Sequence, residues 1–370
     1  MKESVLHSYQ KDTSLGMGLD LLISIKSFDQ QAIRERYLAA KKRGGKLGSV
    51  ERRAVSLGGI VKAQLAAEGL QFEVLSKLLE PRGVGARGAA MAFSSEKVVY
   101  VLFEEQLYKI ENPWFAYIHK VEFHPENIEH ILISSSGFDC LFEYNWKSGK
   151  LIREWFAWEH GMNQGKDKTT GEPVFLCRSE SIAKALQEEG KQVKYISDPE
   201  NQVLPTAMRA AFINSVSYDA KQPEKWLATF FHEGTVRRIH EDGSSEPVLD
   251  GMKNPHGGMR HQEEFLAVST GTGEIHLGKL QERRVISIAE LPGKPEGLED
   301  MEWLQNIISY NELLLAIDSN RNQLIVLDPE KKLYNSFSYP LNWAAQDLVV
   351  HSCTSFQEEE LKHLSLEPTD

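Results

Sequence analysis

From Pro81 onward the chain is written in short apolar runs cut by polar turns. Four stretches share one rhythm: ILISSSGFDCLFEYNWKSGKLI from Ile131, WLATFFHEGTVRRIHEDGSSEPVL from Trp226, FLAVSTGTGEIHLGKLQERRVI from Phe265 and LLLAIDSNRNQLIVLDPEKKLY from Leu313. Each has an apolar strand, a tight polar turn, an alternating strand, a charged turn and a third short strand. VVYVLFEEQLYKIEN from Val98 is a shorter version. A further apolar run precedes each repeat, as in IHKVEF (Ile118–Phe123), INSVSY (Ile213–Tyr218), HGGMR (His256–Arg260), QNIIS (Gln305–Ser309) and QDLVV (Gln346–Val350). Upstream of Pro81 the texture differs. There Ile33, Tyr37 and Leu38, and then Val61, Leu65, Leu70 and Val74–Leu75, recur at helical spacing and predict helices over Asp29–Gly44 and Ser49–Leu79.

A four-stranded antiparallel unit recurring at roughly 40–50 residues is a propeller blade. The steps from Gly234 to Gly271 and from Gly271 to Ser319 bracket that spacing, whereas Gly137 and Gly234 lie about two blades apart. The excess falls in 161–205, which contains the helical pattern Glu180–Glu189, so an inserted loop–helix segment is expected there. The predicted fold is all-β: a five- or six-bladed β-propeller (82–356) with a helical N-terminal extension (1–81) and a C-terminal tail (357–370). The last blade runs out of chain, so a strand from the N-terminal region is expected to close the ring, with Leu19–Ile25 the candidate. Closure removes edges that would otherwise invite aggregation.

Composition narrows the class. Hydrophobic residues make up 41% and charged residues 26%, which suits a globular chain with a sizeable core. Net charge is −11, so nucleic acid and anionic membrane are not expected partners. Cys140, Cys177 and Cys353 lie far apart, giving neither a disulfide framework nor a zinc cluster; a reducing, cytoplasmic setting follows. GVGARG (Gly83–Gly88) precedes strands and no helix, which excludes a dinucleotide fold, and no GxSxG elbow occurs. KKRGGK (Lys41–Lys46) reads as a solvated basic turn.

In a propeller the heads of the innermost strands and the turns between second and third strands meet on one face. Aligned by their apolar runs, the inner strands present His119, Asn214, His256, Gln305 and Gln346 there. The turns add Asp139, His232 and Glu233, then Asp318 and Arg321, with Arg87 a candidate anion clamp at the mouth. Convergent polar groups in a concavity are the default binding site. His119, His256 and Asn214 are the candidate catalytic groups, and His119, His256 and His232 the candidate ligands of a divalent metal. Without a metal, a histidine serves as general base and an Asn or Arg as oxyanion donor. Ordinary strand-end polarity would account for the same residues structurally.

The repeats, best seen in HKVEFHPENIEHILISSSGFDCLFEYNWKSGKL, resemble the six-bladed propeller superfamily that includes gluconolactonase-like, virginiamycin B lyase-like and NHL-type proteins. The resemblance spans roughly Pro81–Ser355. It implies an axial divalent cation: Asn214 matches the amide ligands of the first group, while axial histidines with magnesium are closer to the second. Histidines in place of acids move the expected metal towards zinc, iron or manganese. The implied function is a small-molecule enzyme hydrolysing a lactone or ester, or catalysing an elimination, on a ligand held in the axial funnel. The alternative is a non-catalytic interaction disc, in which the N-terminal helices support homo-oligomerisation or docking.

Overall fold

The computed structural model describes residues 2–42, 55–167 and 170–366. Among the described residues, six sheets each contain a four-stranded antiparallel unit, five of them built from consecutive strands. Blade 1 comprises Val84–Arg87, Ala90–Ser94, Val98–Phe103 and Gln106–Glu111. Blade 2 comprises Ile118–Phe123, His130–Ser135, Cys140–Asn145 and Lys150–Phe156. Blade 3 follows with Ile213–Asp219, Gln222–Phe230, Thr235–Ile239 and Ser245–Leu249. Blade 4 runs through Pro255–His261, Glu264–Ser269, Glu274–Gly278 and Arg283–Ser287. Blade 5 holds Leu304–Tyr310, Leu313–Asp318, Gln323–Asp328 and Leu333–Ser338. Blade 6 joins the two ends of the chain: its first strand is Ala345–Val350, and its others are Asp20–Ile25, Leu57–Ala66 and Gly69–Leu79.

The first strands neighbour one another in the order of blades 1 to 6, and that of blade 6 returns to that of blade 1, so the ring is closed. Ring closure rests on Asp20–Ile25 pairing antiparallel with Ala345–Val350. Two further N-terminal strands, Lys2–Ser4 and Gln10–Lys11, pair in parallel with the outer edges of blades 4 and 5. Val5 and Tyr9, from the same segment, are buried in the cluster between those blades. The end of the chain is equally tied down. Thr354 forms a capping box with Gln357, starting a helix (Ser355–His363) whose Leu361 is fully buried.

Turn chemistry explains why the strands break where they do. The residue before the third strand is left-handed in four blades: Asp139 (φ 53°), Gly234 (φ 79°), Gly273 (φ 64°) and Asn322 (φ 52°). Gly, Asn and Asp are the residues that tolerate this conformation at least cost.

The N-terminal region corrects the sequence reading. Within the expected helix Ser49–Leu79, the described residues form the hairpin Leu57–Ala66/Gly69–Leu79. Two factors override the helical spacing. Gly58–Gly59 and β-branched Ile60–Val61 disfavour a helix, and the glycines are required sterically: a Cβ at Gly58 would overlap the Ile25 carbonyl oxygen of the neighbouring strand. The expected helix Asp29–Gly44 has its counterpart in Gln30–Lys42, started by Asp29, whose carboxylate accepts the Ala32 N–H at 2.9 Å. It lies between the first two N-terminal strands of blade 6 in the chain and is tied to blade 5. Gln30 and Arg34 donate to the Ser319 carbonyl of blade 5, at 3.2 and 3.1 Å. Most of the basic turn Lys41–Lys46 lies outside the described residues.

Between blades 2 and 3 stand a three-stranded sheet (Gln164–Lys166, Pro173–Cys177, Val193–Tyr195) and a helix (Glu180–Glu188) capped by Ser179.

Candidate functional site at the mouth of the axis

The first strands share a defect at the same point. Their pairing with the second strand slips between Ile118 and Lys120, Ile213 and Ser215, His256 and Met259, Leu304 and Asn306, and Ala345 and Asp347. Four of these β-bulges set aside one polar residue each: His119, Asn214, Gln305 and Gln346. His256 holds the matching place in blade 4. Such bulges re-aim side chains, and all five are buried. In blade 1 the place falls to Gly83, and the preceding Arg82 supplies the polar group.

The backbone leading into three of these strands is strained. Tyr117, Phe212 and Asn254 have φ of 53°, 49° and 57°. For Tyr and Phe that conformation costs on the order of 1–3 kcal/mol.

Two histidines are held alike. His119 Nδ1 lies 2.8 Å from the Tyr117 carbonyl, which can only accept, so Nδ1 carries the proton. Ser136 Oγ, also 2.8 Å from Nδ1, donates onward to the Ile213 carbonyl of blade 3. His256 Nδ1 lies 2.8 Å from Thr270 Oγ1, which donates to the Leu304 carbonyl of blade 5. Ser94 and Ser24 make the same hydroxyl-to-carbonyl link from blade 1 to Ile118 and from blade 6 to Arg82. Each second strand of this kind thus latches onto the next blade while orienting the mouth.

Both imidazoles are neutral. Burial, then the Arg82 guanidinium, holds His119 well below the usual histidine range. Burial, then the Lys26 ammonium, pushes His256 down to about 3. Their remaining nitrogens differ. His119 Nε2 accepts from Arg82 at 3.3 Å, whereas His256 Nε2 has no hydrogen-bond partner among the described residues. Phe212 packs edge-on to His119 and Phe231 to His256, with the two phenyl rings 4.6 Å apart.

Other polar atoms at the mouth are left over. Asn214 gives its amide N–H to the Pro255 carbonyl at 2.8 Å, which fixes its orientation, and its Oδ1 is buried without a donor. Gln346 Oε1 and Arg82 Nε are likewise buried and unpartnered. Gln305 accepts from Lys26 (3.2 Å) and the Trp303 indole (3.0 Å).

Below this layer the axis is plugged. Asp347 accepts Lys120 Nζ at 3.0 Å on both oxygens, Asn306 Nδ2 at 2.6 Å and the Val84 N–H at 3.0 Å. These groups come from blades 6, 2, 5 and 1.

Several expected site residues do other work. Arg87 ends the first strand of blade 1, at the end away from the mouth, and donates to the His124 carbonyl; the arginine at the mouth is Arg82. Asp139 is fully buried and accepts the N–H groups of Ala210, Ala211 and Phe212 and the Trp158 indole. It therefore positions Phe212 and has little left for a ligand. Asp318 and Arg321 are paired at 2.8 Å, and Arg321 also holds Glu302 and two loop carbonyls. Glu233 is bound to Arg237 at 2.8 Å. His232 packs against Phe212 and Phe231, with Nε2 3.2 Å from the Thr206 carbonyl.

The expected metal set fails the same scrutiny. Among the described residues no three His, Cys, Asp or Glu side chains converge as a metal site requires. His119 offers its one lone pair to a guanidinium, which would repel a cation, so His119, His232 and His256 do not fit a divalent ion.

No family model and no curated protein sequence matches the chain. Solved structures do. The chain is similar to one in a nidogen/laminin complex (10% identity, 89% of this chain and 97% of that one covered, TM-score 0.53). A protein of unknown function from Bacteroides caccae is similar too (11% identity, 90% and 98% covered, TM-score 0.52). The chain is a β-propeller. A looser likeness joins this propeller to virginiamycin B lyase from Staphylococcus aureus (10% identity, 80% and 86% covered, TM-score 0.45). Among the described residues, no helix is long and apolar enough to cross a membrane.

Proposed function

We propose that the propeller is a small-molecule enzyme whose active site is the axial mouth, with His256 as its proton acceptor. One observation carries this reading: His256 is buried and anchored through Nδ1, and its Nε2 is uncommitted. A general base needs an oriented imidazole with a free lone pair. Asn214 Oδ1 and Gln346 Oε1 supply acceptors for substrate hydroxyl or amine groups. In lactone or ester hydrolysis, Nε2 takes a proton from the attacking water and returns it to the departing alkoxide. In an elimination it takes the proton from carbon as the leaving group departs.

The test compares proton release from lactones and aryl esters, and double-bond absorbance from β-substituted acids, in wild type and His256→Gln. The reading predicts a loss in kcat on the order of 10²–10⁴-fold with Tm unchanged. Turnover equal to wild type in His256→Gln would refute it.

A second reading, an interaction disc, is favoured by the outer strand of blade 2. That strand ends its sheet and exposes Leu151 and Ile152.

A further inference from the structure

We infer that Thr270 is a positioning residue for the axial mouth: its hydroxyl holds His256 in the tautomer that carries the proton on Nδ1 and presents the Nε2 lone pair. This rests on His256 being the proton acceptor, and goes further by naming the residue that makes that acceptor available.

Thr270 Oγ1 has a single proton to give. It lies 2.6 Å from the Leu304 carbonyl oxygen, which can only accept, so the proton points there. What Oγ1 turns towards His256 Nδ1, at 2.8 Å, is therefore a lone pair, and Nδ1 must be the donor. In a neutral imidazole this leaves Nε2 bare. A histidine side chain free in water favours the reverse arrangement; in a folded chain the bond made by the other ring nitrogen decides. Thr270 and His256 are both buried, which keeps bulk water from supplying that bond instead.

The same use of a hydroxyl recurs around the ring. Ser94 gives its proton to the Ile118 carbonyl and accepts the Gly83 N–H at 2.9 Å. Ser24 gives its proton to the Arg82 carbonyl and accepts the Asp347 N–H at 3.1 Å. A backbone N–H can only donate, so in these two blades the hydroxyl oxygen is an acceptor by necessity. Ser136 and Thr270 make the onward link to blades 3 and 5, with an imidazole where the other two have an amide. For His119 the Tyr117 carbonyl gives an independent check, since it too requires a proton on Nδ1. The two rings then part company. His119 Nε2 is taken by Arg82 at 3.3 Å, whereas His256 Nε2 has no hydrogen-bond partner among the described residues. Thr270 is thus the hydroxyl whose ring is left available. The Asn254 carbonyl also favours a proton on the His256 ring, but Thr270 Oγ1 is the group at hydrogen-bond distance.

The test reads the ring directly, in the full chain with labelled histidines. Long-range proton–nitrogen correlation spectra at neutral pH show which ring nitrogen carries the proton, and the His256 signals are assigned by their absence in His256→Gln. A proton on Nδ1 is expected in wild type and in Thr270→Ser. In Thr270→Val the ratio of the Nδ1–H form to the Nε2–H form should fall roughly tenfold, the upper worth of one hydrogen bond. Turnover should follow, with kcat reduced by a similar factor, KM unchanged, and recovery in Thr270→Ser. Lost packing alone would not move the ratio. An Nε2–H form in the wild type overturns the proposal even should Thr270→Val fail to fold. So does a ratio that Thr270→Val leaves unchanged; with turnover lost in His256→Gln, that result removes Thr270 alone. Turnover untouched in His256→Gln removes the base, and the role of Thr270 with it, whatever the spectra show.

Discussion

The mouth and the plug occupy the same axis, are both buried, and are built from the same strands, yet their polar groups are satisfied to different degrees. In the plug, Asp347 receives Lys120, Asn306 and two backbone N–H groups, so its charge is matched. Toward the mouth, Asn214, Gln346 and Arg82 each keep a buried atom without a partner, and in the plug itself Asn306 Oδ1 does as well. Native interiors seldom leave such atoms unmet, because each costs roughly 1–3 kcal/mol. In the proposed reading, the plug and the hydroxyl latches hold the blades together, and the mouth is where another molecule binds.

The sharpest way to break this comparison is to truncate each member. Asp347→Ala strands Lys120 as a buried unpaired charge, and breaking a buried pair this way costs about 3–5 kcal/mol. Equilibrium urea unfolding should therefore show a large fall in midpoint. Asp139→Ala comes next. It removes the acceptor for three N–H groups, and a loss of about 2–3 kcal/mol is expected, with faster amide exchange at Ala210–Phe212. A midpoint unchanged by that substitution would show that the loop does not depend on the carboxylate.

The pH dependence gives a smaller effect with a definite sign. Burial raises the Glu122 carboxyl from its ordinary value to about 7, against the opposing pull of Lys120. The folded state therefore holds this proton more tightly than the unfolded chain does. The associated stability is full at acid pH and is lost as pH rises towards 7. His119 and His256 act the other way: both are depressed, so protonating them on acidification below about 6.5 favours unfolding. Glu122→Gln should raise Tm at pH 8 relative to wild type and leave it near wild type at pH 5. A gain of equal size at both pH values would contradict the assignment to this group.

Parts of this layout are legible in the sequence. The apolar runs from Ile118, Ile213, His256, Gln305 and Gln346 align by eye because each inner strand enters the core at the same step, and their polar heads then share one layer. The turns are equally visible, since Asp139, Gly234, Gly273 and Asn322 are residues that a left-handed turn selects. Residues 57–79 were harder to read. Their apolar spacing fits a helix until Gly58 and Gly59 are weighed against a neighbouring strand that comes from the far end of the fold.

Arg82 could not be picked out, because its role depends on His119 and Tyr117 in the next blade. Arg87, four residues from the mouth end of its strand, has the better local context and the wrong end of the axis. A signal for the latches was present but unread: Ser94, Ser136 and Thr270 recur at or just past the end of a second strand, next to the turn. Aligning the inner strands brings His119 and His256 to one layer but cannot report that a guanidinium stands beside the His119 ring.

The central claim, that the mouth is kept unsatisfied for a ligand, is tested most directly by the unfolding midpoint of Asn214→Leu without any ligand. Leucine removes an unmet acceptor at similar volume and forfeits one hydrogen bond to Pro255. The account predicts stability equal to or above wild type, together with weaker ligand binding at the mouth. A fall comparable to that of Asp347→Ala would show that Asn214 belongs to the scaffold, and would contradict it.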